Sequence, residues 1–141
     1  MTVVVDASLA LKWVVEEEDT EPAIALRAEW FEMGELLLAP SIFGAEVTNA
    51  LHRKARRGEM DLGDAQRAAG YLVSAVAPGE PPGLYGRALD LAAAFRLGAV
   101  YDSLYVALAE LEGCEMWTAD RRLVNAVQRD FPQVRWVGEA L

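Results

Sequence analysis

Cysteine and histidine are each present once in these 141 residues. A lone Cys114 leaves no internal disulfide and no cysteine cluster for zinc. A lone His52 excludes a polyhistidine metal site and any mechanism that needs two imidazoles. No apolar run approaches the roughly 20 residues that cross a bilayer. The first residues also lack the basic stretch, apolar core and small-residue cleavage site of a secretion signal. A cytoplasmic protein without membrane contact is therefore expected. Basic residues are scarce too: 13 Lys and Arg face 22 Asp and Glu, a formal charge of −9. That balance argues against a strong, general attraction to nucleic acid. Any chemistry performed here must run on carboxylates.

What the chain has is enough apolar material, 53% of its residues, to bury a core in a single domain over residues 1–141. Its charge is unevenly spread. Glu16 to Asp19 are consecutive acids, whereas HRKARR at 52–57 is the densest basic stretch. Short β-rich runs alternate with helical periodicity. TVVVD (2–6), ELLLAP (35–40), CEMWT (114–118) and VRWV (134–137) read as strands. A short helix follows the first strand, and a second spans about 20–33 with Pro22 in its first turn. Ser41 is placed to cap a helix running to Arg57 and stopped by Gly58. Asp61 begins another to about 76, and APGEPPG (77–83) reads as a loop. Helices at about 84–97 and 102–112 end at Gly98 and Gly113, and one from Asp120 to about 130 precedes the last strand. The alternation predicts an α/β protein, a central, mainly parallel sheet with helices on both faces.

In such a sheet the ligand crevice lies beyond the carboxyl ends of the strands. Asp6 ends the first strand and Asp120 follows the third clear one by two residues, so both should face that crevice. Each acid also has an ordinary reading. Asp6, Asp102 (in VYDSLYVALAEL) and Asp120 (in TADRRL) are all placed to cap helices, a role worth about 1 kcal/mol apiece. Glu46 has no such excuse. On a helical wheel it falls between Ile42 and Ala50, within the apolar arc marked by Phe43, Val47 and Leu51, and no base stands one turn away to pair with it. Convergence of all four would create mutual repulsion, raising some of their proton affinities. A hard divalent cation would relieve it, since Mg²⁺ and Mn²⁺ prefer carboxylate and water oxygen. Two such ions would bring the formal charge from −9 to about −5.

VVVDAS around Asp6, APSIFGAEVTNAL around Glu46, YDSLYVALAE around Asp102 and TADRRL around Asp120 together resemble the PIN-domain family, and within it the VapC-type toxins of toxin–antitoxin pairs. The four motifs stand in the family's order and span nearly the whole chain. The resemblance implies a Rossmann-like α/β/α sandwich that hydrolyses RNA with Mg²⁺ or Mn²⁺, leaving a 5′-phosphate and a 3′-hydroxyl. Asp6 and Asp102 would be direct metal ligands, with Glu46 and Asp120 acting partly through water. Ser8, Thr118 and Asn49 match polar positions that orient carboxylates or waters, although local capping or backbone bonding suits them equally. The resemblance further implies a homodimer and a cognate VapB-type antitoxin, with the helices at 20–33 and 42–57 as candidate surfaces for it.

Arg53 and Arg57, projecting beside Glu46, and Arg121 and Arg122, adjoining Asp120, are candidate RNA contacts. Each pair can equally be a solvated or helix-stabilising charge. Trp13, Trp117, Trp136, Tyr101 and Tyr105 are of a type that stacks bases, though their spacing also suits packing. Two other readings compete with a toxin ribonuclease: a housekeeping PIN nuclease without antitoxin, and a non-catalytic binding module of the same fold.

Overall fold

The computed structural model of the chain describes residues 1–140. Five parallel strands form one sheet in the order β3-β2-β1-β4-β5, from β1 (Thr2–Val5), β2 (Leu36–Ala39), β3 (Ala77–Pro78), β4 (Met116–Thr118) and β5 (Val134–Trp136). Val4 of β1 aligns with Leu38 on one side and Met116 on the other, so β1 is flanked by strands and buried on both faces. That explains its unbroken valines: parallel strands covered by helices read as apolar runs rather than alternating ones. The chain moves outward from β1 through β2 to β3, then crosses back to β4 and β5. The switch of direction falls between β1 and β4, where a crevice must open at the carboxyl edge.

Among the described residues seven α-helices flank the sheet: α1 (Ala7–Leu11), α2 (Thr20–Glu32), α3 (Ile42–Arg56), α4 (Leu62–Ala75), α5 (Leu84–Ala94), α6 (Tyr101–Glu112) and α7 (Arg121–Val127). A short 3₁₀ turn, Val137–Ala140, follows β5. Helix α6 is the most deeply seated, with Ser103 through Ala109 all buried. The buried Ser103 hydroxyl is satisfied nearby: its Oγ lies 2.7 Å from the carbonyl of Val100 and 2.8 Å from that of Ala88, tying α6 to α5. Across the sheet, Trp30 packs edge-on between Trp13 and Trp117, with ring centroids 6.5 and 6.3 Å away.

The sequence-based expectations differ from the structure in four places. The segment 77–83 does not begin as a loop, because Ala77 and Pro78 form the edge strand β3 against Leu38 and Ala39. A two-residue strand has no periodicity to read, and its proline sits where the sheet needs no further donor. Helix α5 stops at Ala94, not 97: Arg96 takes φ +52° and closes the turn, with Leu97 N–H donating to Ala92 O at 2.9 Å, so Gly98 is not the terminator. Ser41 does not cap α3 through its side chain; it already has helical φ and ψ, and its hydroxyl turns to Glu80. The final α-helix also ends early, at Val127.

The three-tryptophan cluster links α2 to the sheet centre. Trp30→Ala is expected to destabilise the protein by about 3–5 kcal/mol, read as a lower midpoint in urea unfolding with little change in slope.

Candidate active site

Asp6 leaves the end of β1 and is 6% exposed. Its Oδ1 accepts from Leu9 N–H at 3.0 Å and from Ser8 Oγ at 2.7 Å, while Thr118 Oγ1 donates to Oδ2. Asp6 therefore does cap α1, and yet capping does not settle its state. Burial pushes its carboxyl up to about 6 even though these three hydrogen bonds pull the other way, and the charge of Asp102 adds to the rise. A carboxylate whose hydrogen bonds lose to desolvation is short of positive charge.

Thr118 ends β4 fully buried. Its hydroxyl accepts Asp120 N–H at 2.9 Å, Ser8 Oγ accepts Ala119 N–H at 3.1 Å, and the two hydroxyl oxygens lie 3.3 Å apart. Ser8 and Thr118 thus stitch the ends of β1 and β4 together around Asp6. Asp120 caps α7, accepting from Arg122 and Leu123 N–H at 3.0 and 3.3 Å. Asp102 does not cap α6. Val100 holds that position, and Asp102 sits in the first turn with an exposed residue surface. Partial burial of its carboxyl and the charge of Asp120 raise its proton affinity, with Arg122 opposing.

Glu46 is half-buried on α3 and finds its partner on another helix. Tyr105 Oη, on a residue only 2% exposed, donates to Glu46 Oε1 at 2.5 Å. Burial still raises the Glu46 carboxyl, and Asp102 contributes again. Tyr105 itself is driven far above the usual phenol range, first by burial and then by its bond to Glu46, so it remains a donor. Tyr105 is the residue that sequence reasoning left among the stacking candidates. Its signal was the i, i+3 spacing from Asp102, which puts both side chains on one face of α6.

Asp102 is the electrostatic hub: it acts on Asp6 and Glu46 and is acted on by Asp120. Asp6 and Asp120 meet at the ends of β1 and β4 through Thr118, and the charge of Asp102 reaches both Asp6 and Glu46. Among the described residues no three Asp, Glu, His or Cys side chains are drawn tightly enough to hold an ion as they stand. The donors are nonetheless all carboxylate oxygen, and three of them are held above their ordinary proton affinity. Both features fit a hard divalent cation better than a soft one.

The other candidates separate. Asn49 and Arg53 line a groove of about 430 Å³ with Ser8 and Glu46. Arg57 is turned to Glu59 at 2.7 Å, and Arg121 lies over the Trp136 ring at 4.6 Å. Arg122 is near enough to the acids to lower Asp102. A larger depression, about 730 Å³, opens among Met1, Glu35, Cys114 and Gln133, and none of the four acids lines it.

A small doubly wound α/β protein with an all-carboxylate crevice at its switch point is a recognisable class. The chain belongs to the PIN-domain family, whose profile matches residues 3–128. It is 32% identical over 131 residues, covering 92% of this chain and 94% of the relative, to VapC ribonuclease Mb0985 of Mycobacterium bovis and to Ribonuclease VapC9 of Mycobacterium tuberculosis. Among solved structures, PAE2754 from Pyrobaculum aerophilum matches with a TM-score of 0.69 at 25% identity, over 99% of this chain and 94% of that one. The VapBC2 structure from Rickettsia felis, bound to a promoter DNA fragment, shares the fold with a TM-score of 0.67 at 12% identity, covering 96% of this chain and 97% of that one.

The raised Asp6 carboxyl has a signed consequence for stability. The folded state holds its proton more tightly than the unfolded state, so ionising Asp6 costs stability progressively from about pH 4 to pH 6 and by a constant amount above. In EDTA, Asp6→Asn should gain stability relative to wild type across that window, on the order of 2–3 kcal/mol by pH 7. Urea unfolding at pH 4 and pH 7 checks this; a pH-independent difference between the two proteins would contradict it.

Proposed function

We propose that this chain is a VapC-type endoribonuclease, the toxin of a toxin–antitoxin pair, that hydrolyses RNA phosphodiester bonds with Mg²⁺ or Mn²⁺ in the acidic crevice. The observation that carries the reading is the buried Asp6 carboxylate at the switch point, tied through Thr118 to Asp120, with the charge of Asp102 acting on it and on Glu46. The near full-length likeness to VapC ribonucleases supports it.

Asp6 and Asp102 would hold the cation directly, with Glu46 and Asp120 completing its surroundings. When bound, a divalent cation supplies Lewis-acid polarisation of the phosphoryl oxygen and charge neutralisation at the leaving oxygen. The chain's own groups do the rest. Thr118, Ser8 and the Leu9 N–H fix the Asp6 carboxylate so that it cannot rotate away. Tyr105 holds Glu46 Oε1, leaving Oε2 to take a proton from the attacking water, a task its raised proton affinity suits. Arg53 and Arg122 supply the positive charge that holds substrate phosphate. In-line attack then leaves a 5′-phosphate and a 3′-hydroxyl.

A VapB-type antitoxin would use the apolar surface that the fold leaves uncovered. Helix α3 buries Phe43, Val47 and Leu51, whereas Phe31 of α2 is 86% exposed beside Met33 and Leu36. Exposed apolar residues gathered this way mark partner surfaces, so α2 is favoured over α3 as the docking face. A basic antitoxin side chain reaching the crevice would compete with cation and substrate. A homodimer is part of the same reading.

Purified protein incubated with a panel of structured RNAs should give discrete fragments with Mn²⁺ or Mg²⁺ and none with EDTA. Asp6→Asn should cut at least about a hundredfold more slowly. Millimolar Mn²⁺ should also raise the melting temperature of wild type more than that of the variant. Cleavage that survives both EDTA and the substitution would refute the assignment.

A further inference from the structure

We infer that the groove between α1 and α3 is a nucleobase subsite, in which Tyr101 stacks on one base of single-stranded RNA beside the cut, Asn49 reads that base's edge and Arg53 holds its phosphate. This rests on reading the neighbouring acids as an RNA-cleaving centre. The groove encloses about 430 Å³, within the roughly 300–1,000 Å³ of small-ligand sites. Leu11, Ile42 and Ala50 give it an apolar floor, and Glu46 and Ser8 belong to both the groove and the crevice, so whatever occupies it lies next to the reacting phosphate.

The two tyrosines of α6 have separate duties. Tyr105 is buried and bonded to Glu46, whereas Tyr101 lines the groove with half its surface open. A half-exposed aromatic ring over an apolar floor is the platform on which a splayed base stacks. Asn49 stands three residues after Glu46 and faces the groove, and its side chain makes no hydrogen bond among the described residues. A free amide offers one donor group and one acceptor, the complement of a base edge. Arg53 follows one turn later. Lys54 on the same helix and Arg57 just past its end are engaged by Glu17 and Glu59, whereas Arg53 has no ion pair among the described residues. In a protein of net charge −9, an uncommitted guanidinium at the mouth of an acidic site suits a phosphate and repels a basic peptide.

Two readouts test this. In the Asp6→Asn background with Mg²⁺, which slows cutting, anisotropy of fluorescein-labelled short single-stranded RNA oligomers should show Tyr101→Leu weakening binding about tenfold, with Tyr101→Phe close to the parent. With an otherwise wild-type chain and a mixed-sequence RNA library in Mn²⁺, Asn49→Ala should flatten the base preference at one position flanking the cut while preferences elsewhere persist. Cleavage by wild type with an unchanged base profile in Asn49→Ala, and oligomer affinity unmoved by Tyr101→Leu, would overturn the subsite while leaving the nuclease standing. Loss of affinity for an arginine-bearing peptide in place of RNA would overturn it in favour of a protein partner. Binding that depends on Tyr101 in a chain that never cuts would remove the nuclease, and with it the placement of the subsite beside a cut, leaving only a base-binding groove.

Discussion

Everything at the functional edge depends on a buried carboxylate that is not fully compensated. Asp6 sits where two central strands end, and three hydrogen bonds hold it without overcoming the cost of its burial. Desolvating an acid is tolerated in a stable fold only where its charge is used. Thr118 and Ser8 carry the burden on both sides, since each hydroxyl also satisfies a backbone N–H at the start of the next element. The same contacts that place Asp6 therefore place Asp120, two residues beyond Thr118. One network sets the spacing of half the acids.

The other half is set by helix packing. Asp102 and Glu46 come from α6 and α3, and Tyr105 is the piece that locks them into one unit. Its ring lies in the core and its hydroxyl reaches Glu46, so the core's own packing fixes a carboxylate at the surface. Any shift of α6 against α3 would strain that bond and change the spacing between Asp102 and Glu46. This coupling makes Asp102 a hub: its charge is felt by acids anchored to the sheet and to α3 alike.

Much of this arrangement was legible in the chain. The valine run read as a strand, Asp6 and Asp120 were assigned to one crevice from strand ends alone, and Glu46 was conspicuous as an acid in an apolar helical arc. What was not legible was whatever depended on contacts between distant segments. Ala77–Pro78 is too short to show a period and becomes a strand only because Leu38 and Ala39 lie beside it. Ser41 looked like a helix cap until Glu80, far along the chain, claimed its hydroxyl. Tyr105 was counted as a packing or stacking ring, since nothing local reveals a partner on a helix 59 positions away. Capping was also posed as a rival to a site role, yet the caps made by Asp6 and Asp120 leave both acids at the strand ends, where the proposed site needs them.

The strong net acidity, which first argued against nucleic acid, can now be placed within the molecule. Screening confines exposed charges to about 8–10 Å of influence at ordinary salt, so the acidic run Glu16–Asp19 matters where it lies rather than as part of a sum. Glu17 lies 3.5 Å from Lys12 and 3.6 Å from Lys54, and it is thus spent on cations of α1 and α3 rather than on the crevice. Arg53 and Arg122 are left as the local positive charge beside four carboxylates. Such a site repels phosphate when its acids are bare and attracts it once their charge is met by a divalent ion. On the proposed function, affinity for substrate would depend on the same ion that meets the charge of the acids, which is how a globally negative protein would accept a polyanion there.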